Sequence, residues 1–239
     1  MKICIFSTYD NFFLKKLVLS ILKKNKKHNF VFYFVSDYKN LNNILVKLVS
    51  LGILRSLKFL VMSKILDITK KDIISLLEEK HIIKENLSNI DIAKFIKSNK
   101  IDLILSINYP KIIPSKILNL CKYGGINHHL GKLPEFKGRY PVANAILNNA
   151  KYIYVTVHKM NKNIDSGDII LEQKISISKY NNNFVDIYKS LFKKSEKIIS
   201  NSISLIESNK SFKKMKRTKK NYCKNLTLNQ IFNIIFLKN

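Results

Sequence analysis

Apolar residues along this chain follow two rhythms. Short runs rich in β-branched and aromatic residues read as buried strands: Lys2 to Ser7, Phe30 to Val35, His81-Ile82-Ile83 and Leu103 to Ile107. Between them, apolar positions recur every three or four residues, as along one face of a helix. One such helix runs from a cap at Asp10 or Asn11 to about Lys24, another over Asp72 to Glu79 and a third over Asp91 to Ser98. Residues 41–66 are apolar with regularly spaced cations, and read as two helices broken at Gly52 and packed on the sheet. The alternative for that stretch is an amphipathic helix lying on anionic lipid. Alternating β and α signals of this kind predict an α/β fold with a mostly parallel sheet.

The second half changes character. A helix, Ser115 to Leu120, leads to a strand that closes on Gly124-Gly125-Ile126-Asn127-His128-His129. Pro141 suits the first turn of a helix over Val142 to Leu147. Strands Tyr152 to Met160 and Ile169 to Ile177 flank a polar loop, and His158 sits in the alternation of the first as a structural side chain. Phe184 to Ile206 reads as a long amphipathic helix with Ile187, Leu191, Ile198, Ser202 and Leu205 near one face. Residues 1–208 thus form the predicted α/β domain. Residues 209–239 form a tail, its Lys/Arg-rich run Lys210 to Lys220 a solvated connector and its apolar end, Leu226 to Leu237, a docking helix or dimer contact.

The strand end carries the chemistry. In an extended segment successive side chains alternate faces, so Asn127 and His129 point one way and His128 the other. A neutral N–H donor beside a titratable imidazole suits holding an oxyanion and moving a proton.

Further on come Leu133-Pro134 with Gly138, then the loop Asp165-Ser166-Gly167-Asp168. This ordered set resembles the formyltransferase family that uses 10-formyltetrahydrofolate. Its catalytic domain carries an Asn-x-His strand end, a Leu-Pro-x-x-x-Gly loop and an Asp-x-Gly-Asp loop. The likeness is good over residues 100–178 and weak over the first hundred. It implies a Rossmann-like sheet with helices on both faces, and a catalytic trio of Asn127, His129 and Asp165. Asn127 would donate to the oxyanion, His129 would move the amine's proton, and Asp165 would orient the imidazole and raise its pKa. The Asn-x-His spacing favours His129 over His128. The resemblance also places the folate against Tyr109, Lys111 and Ile112, against Leu133, Pro134 and Arg139, and against Asn161 and Ile164. No metal is implied.

Two departures narrow the acceptor. The turn Ser7-Thr8-Tyr9-Asp10 lacks the glycines that a phosphate-cradling turn needs, unlike the glycinamide-ribotide branch. The short tail is too small for the barrel domain of the transfer-RNA branch. A nucleotide-linked amino sugar is therefore the expected acceptor, with glycinamide ribonucleotide and methionyl-transfer-RNA as alternatives. Gly131 stands where relatives usually carry Ser, and Lys132 replaces an apolar residue.

Composition adds less. The chain has 239 residues, 46% of them hydrophobic, enough for one large α/β domain. A net charge of +27 is spread along the whole length with abundant Asn and Ile, and is read mainly as compositional bias. A non-catalytic protein that binds polyanions or membranes is the reading from another class, and predicts steeply salt-dependent binding. Cys4, Cys121 and Cys223 form neither a disulfide framework nor a zinc site. With no signal-like leader and no long uncharged apolar run, the expected setting is the cytoplasm.

Overall fold

The computed structural model describes residues 1–8, 14–35, 77, 83–178, 184–208, 212–215, 222–227 and 229–230. Strand β1 (Lys2–Thr8), inside the sheet, is apolar on both faces from Ile3 to Phe6 and buried from Ile3 onward. Strands β2 (Asn29–Val35) and β4 (Leu103–Ile107) pair with it in parallel on either side. β3 (Ile83–Glu85) extends the sheet beyond β2, and β5 (Gly125–His129) extends it beyond β4, both parallel. Then the direction reverses. β7 (Tyr152–Lys159) runs antiparallel to β5 and β8 (Ile169–Ser176) antiparallel to β7, giving the order β3-β2-β1-β4-β5-β7-β8.

Period-two alternation divides the core. Ile3 and Ile5 belong to a cluster closed by α1 (Leu14–Lys24), α4 (Pro141–Leu147) and α5 (Phe184–Glu207). Cys4 and Phe6 point to the other face, where Ile92, Phe95 and Ile96 of α2 (Asn89–Ser98) and Ile117 and Leu118 of α3 (Ser115–Leu118) cover them. Helices therefore lie on both faces, as expected. Pro141 begins α4, where its missing N–H costs nothing. α2 starts at Asn89 because Ser88 Oγ accepts from Asp91 N at 3.2 Å, which caps the helix two residues before the predicted start.

One expectation needs correction. The basic turn Lys26-Lys27-His28 before β2 reads as solvated, but His28 is buried: Nδ1 lies 3.2 Å from the Met1 α-amino group, and burial with that neighbouring charge holds its pKa below the ordinary value. In the described part of the tail, Lys213 and Lys214 are exposed. Lys213 bridges to Ile169, and β9 (Tyr222–Cys223) pairs in parallel with β6 (Lys137–Gly138), burying Cys223 and Leu226. Several expected elements lie outside the described residues: the cap at Asp10 or Asn11, the stretch 41–66, the helix Asp72 to Glu79 apart from buried Leu77, His81-Ile82, and the final apolar segment beyond 230. Among the described residues no helix is long and apolar enough to cross a membrane.

Candidate active site

The register of β5 against β7 builds the site. Asn127 lies opposite His158 and His129 opposite Thr156, and residues directly opposed in an antiparallel pair share a face. Asn127 Nδ2 lies 3.2 Å from His158 Nε2. Asp165, on the loop after β7, completes the group, with Oδ1 at 3.3 Å from Asn127 Nδ2 and Oδ2 at 3.7 Å from His129 Nδ1. Gly138 N donates to Oδ2 at 2.8 Å. Asp165 itself has φ +45°, a left-handed conformation that Asp tolerates better than bulkier residues. The three residues expected to carry catalysis thus converge, although 38 positions separate Asn127 from Asp165.

Hydrogen bonds to carbonyl groups fix the tautomers. His129 Nε2 is 2.7 Å from Phe136 O, an acceptor only, so the proton sits on Nε2 and Nδ1 is bare in the neutral ring. For His158, Nδ1 donates to Lys159 O at 2.8 Å, and Nε2 faces both Asn127 Nδ2 at 3.2 Å and Asp165 Oδ1 at 3.4 Å. Burial lowers the His129 pKa and outweighs the opposing influence of the Asp165 charge. The expected rise from Asp165 is therefore present but does not win. Asp165 goes the other way: burial resists its charge, yet His129, His158 and the Gly138 N–H together hold the carboxyl well below the usual range.

His128 faces the opposite side, as alternation requires. Its Nε2 lies 2.7 Å from Ser195 Oγ on α5, and Ser195 spends its own proton on Leu191 O at 2.8 Å, so His128 donates. Burial, with a smaller push from His129, depresses its pKa to about 3. The unfolded chain then binds a proton that the folded one refuses. Stability should fall as pH drops from about 6.5 towards 3, by up to about 1.4 kcal/mol per pH unit for this group. Urea unfolding of His128→Gln across that range should show a slope shallower by about one proton's worth.

A cavity of about 350 Å³ lies at the amino end of β5, lined by Leu118, Asn119, Gly124, Gly125, Met160 and Asn161 among others, while Asn127, His129 and Asp165 stand outside its lining. Gly125 shares the face of Asn127, and a Cβ there would come within 2.3 Å of Met160 Cε and 2.8 Å of Leu118 Cδ2. Of the residues expected to meet folate, Asn161 lines this cavity. Lys111 and Ile112 are exposed on the loop after β4, and Ile164 is exposed on the loop before Asp165. Tyr109 packs edge-on to Phe6, with burial raising its hydroxyl pKa. Leu133 is buried beside half-buried Pro134, and Arg139 donates from Nη1 to Asn225 Oδ1 at 3.2 Å.

Residues 61–203, more than half of the chain, match the family described as formyl transferase. The chain belongs to the formyl transferase family. Among curated proteins, this formyl transferase is 36% identical over 121 residues to a methionyl-tRNA formyltransferase of Prochlorococcus marinus (strain MIT 9312), covering 51% of this chain and 37% of that protein. It is 46% identical over 78 residues to the methionyl-tRNA formyltransferase of Buchnera aphidicola subsp. Baizongia pistaciae, covering 33% of this chain and 24% of that protein. The matches span well under half the length of those relatives. In fold, it is similar to a sugar N-formyltransferase from a Shewanella species, with TM-score 0.65 at 20% identity over 100% of this chain and 87% of that one.

His158 is the site residue that sequence reasoning assigned to structure alone. Its alternation was visible, but its meaning depends on the β5–β7 register, which brings it opposite Asn127. A bulge between Val157 and His158, where β8 carries one extra residue, twists the strand at that point.

Proposed function

We propose that this protein transfers the formyl group of 10-formyltetrahydrofolate to a primary amine, and that the amine is carried on a nucleotide-linked sugar. The observation that supports transfer most directly is the convergence of Asn127, His129 and Asp165 around one point. The folate is read against Asn161, which lines the cavity at the amino end of β5 where Leu118 and Met160 offer apolar contact, and against the exposed loop residues Lys111, Ile112 and Ile164. It supplies a formyl carbon bonded to an aromatic amine nitrogen.

Each residue has a separable task. The acceptor nitrogen bonds to the formyl carbon, and Asn127 Nδ2 donates to the oxygen as it takes up negative charge. His129 is neutral and bare at Nδ1, so it takes the proton that the attacking amine must lose. Asp165, at 3.7 Å from that nitrogen, stabilises the imidazolium so formed. The bond to the folate nitrogen then breaks, and the same proton returns to that nitrogen. His129 therefore begins the cycle as a base, which gives a direction to the proton-moving role expected from sequence.

The acceptor reading draws support from the glycine-free sequence of the turn after β1, and from the fold-level likeness to a sugar N-formyltransferase over the whole chain. The second reading, methionyl-transfer-RNA, is favoured by the identity of 46% over the matched segment. Incubation with 10-formyltetrahydrofolate and a panel of nucleotide-linked amino sugars, glycinamide ribonucleotide and methionyl-transfer-RNA, followed by tetrahydrofolate release, separates them. Turnover with an amino sugar is expected. Turnover confined to the transfer RNA would overturn the sugar assignment, and none with any acceptor would overturn formyl transfer.

A further inference from the structure

Asp165 owes its aim to a residue that contributes no side chain. Gly138 N–H donates at 2.8 Å to Oδ2, the carboxylate oxygen that faces His129 Nδ1. Gly138 has φ +93°, a region where glycine moves freely, so something outside the residue must hold it. The tail does so. Lys137 pairs with Tyr222 and Gly138 with Cys223, and Arg139 N donates to Cys223 O at 2.9 Å. The Tyr222 ring fills the space a side chain at 138 would occupy, since a Cβ there would stand 2.7 Å from both a ring carbon and Cys223 O.

A second clasp grips the far side of the same loop. Ile169 N donates to Lys213 O at 3.0 Å, and Met215 N to Asp168 Oδ1 at 3.4 Å. The tail thus touches the chain on both sides of Asp165. The two strand residues lie outside both apolar clusters, and the tail's share of the core comes from Leu226 and Phe212.

The geometry points to the tail strand Tyr222–Cys223 as a positioning element that sets Asp165 against His129 through the backbone of Gly138. This rests on the formyl-transfer reading of the site. The groups that face Asp165 are Asn127 and His129 from β5, His158 from β7, the Gly138 N–H from β6 and Cys223 from β9. His129 in turn meets Asp165, His158, the Phe136 carbonyl and, through the strand, His128.

In the full chain, Cys223→Pro has no N–H to give to the β6–β9 ladder, whereas Cys223→Ala keeps the backbone intact. The proline variant should lose about 10- to 100-fold in kcat with KM for both substrates within about threefold, and melt near the wild-type temperature. Alanine should restore kcat. Histidine NMR supplies a readout independent of turnover: with Asp165 released, the upward pull on His129 weakens and its midpoint should fall. If the proline variant does not fold, Tyr222→Ala carries the test at a half-exposed ring, with a loss of about threefold in kcat and the same direction of titration shift. Wild-type kcat and an unmoved His129 midpoint in the folded variant would overturn the proposal, as would equal losses in proline and alanine. If the wild type itself transfers no formyl group, that reading falls, and the titration alone decides the positioning role.

Discussion

His129→Ala should lower kcat by about 1,000-fold, while His128→Ala, one residue away, should keep kcat within about threefold. The two imidazoles differ in what they face. His129 presents a bare Nδ1 to Asp165 on the side of Asn127, with Nε2 tied to Phe136 O. His128 is enclosed by α5 and donates to Ser195, where nothing reacts. Its loss should instead appear as stability, about 2–4 kcal/mol, because alanine leaves a void against Phe192 and strips Ser195 of a partner. Stopped-flow turnover and urea unfolding on the two variants separate these effects. Equal losses of kcat would mean that the strand register does not divide chemistry from packing.

That division was legible before any coordinates, because alternation along a strand depends on nothing but its being extended. The parallel half of the sheet was legible for a similar reason: Ile3 to Phe6 and Leu103 to Ile107 are apolar on both faces, as strands between two helix layers must be. What pairs with what across the sheet was not. His158 becomes part of the site through its position opposite Asn127, and Gly138 through a strand contributed by the tail. Both are contacts between segments remote in sequence, set by register, and a periodic pattern carries no register. The fall of the His129 pKa was hidden likewise. A carboxylate partner argues for a rise, and only the completeness of burial reverses the sign.

Gly167→Ala should cost both fold and function, because the glycine of the Asp-x-Gly-Asp loop lies flat on β7. A Cβ at 167 would stand 1.8 Å from Lys159 O and 2.6 Å from its carbonyl carbon, backbone atoms of a strand paired on both sides. Those atoms cannot rotate away, so the loop must retreat by about 1 Å or more to reach ordinary contact. The retreat is opposed by the bond from Lys159 N to Asp168 O at 2.8 Å, which anchors the loop just beyond the glycine. Asp165 lies two residues before the clash and moves with it, away from His129 Nδ1. A displacement of that size at a catalytic group costs about 100-fold in kcat, and the forced gap about 3 kcal/mol in stability. Turnover and the urea midpoint of the variant measure the two losses separately. Wild-type turnover in a destabilised Gly167→Ala protein would mean that Asp165 is held by Gly138 alone and not by the closeness of its loop to β7. The motif's three fixed residues would then divide as one physical task each: a carboxylate aimed by a neighbouring N–H, a glycine for backbone contact, and a carbonyl that closes the turn.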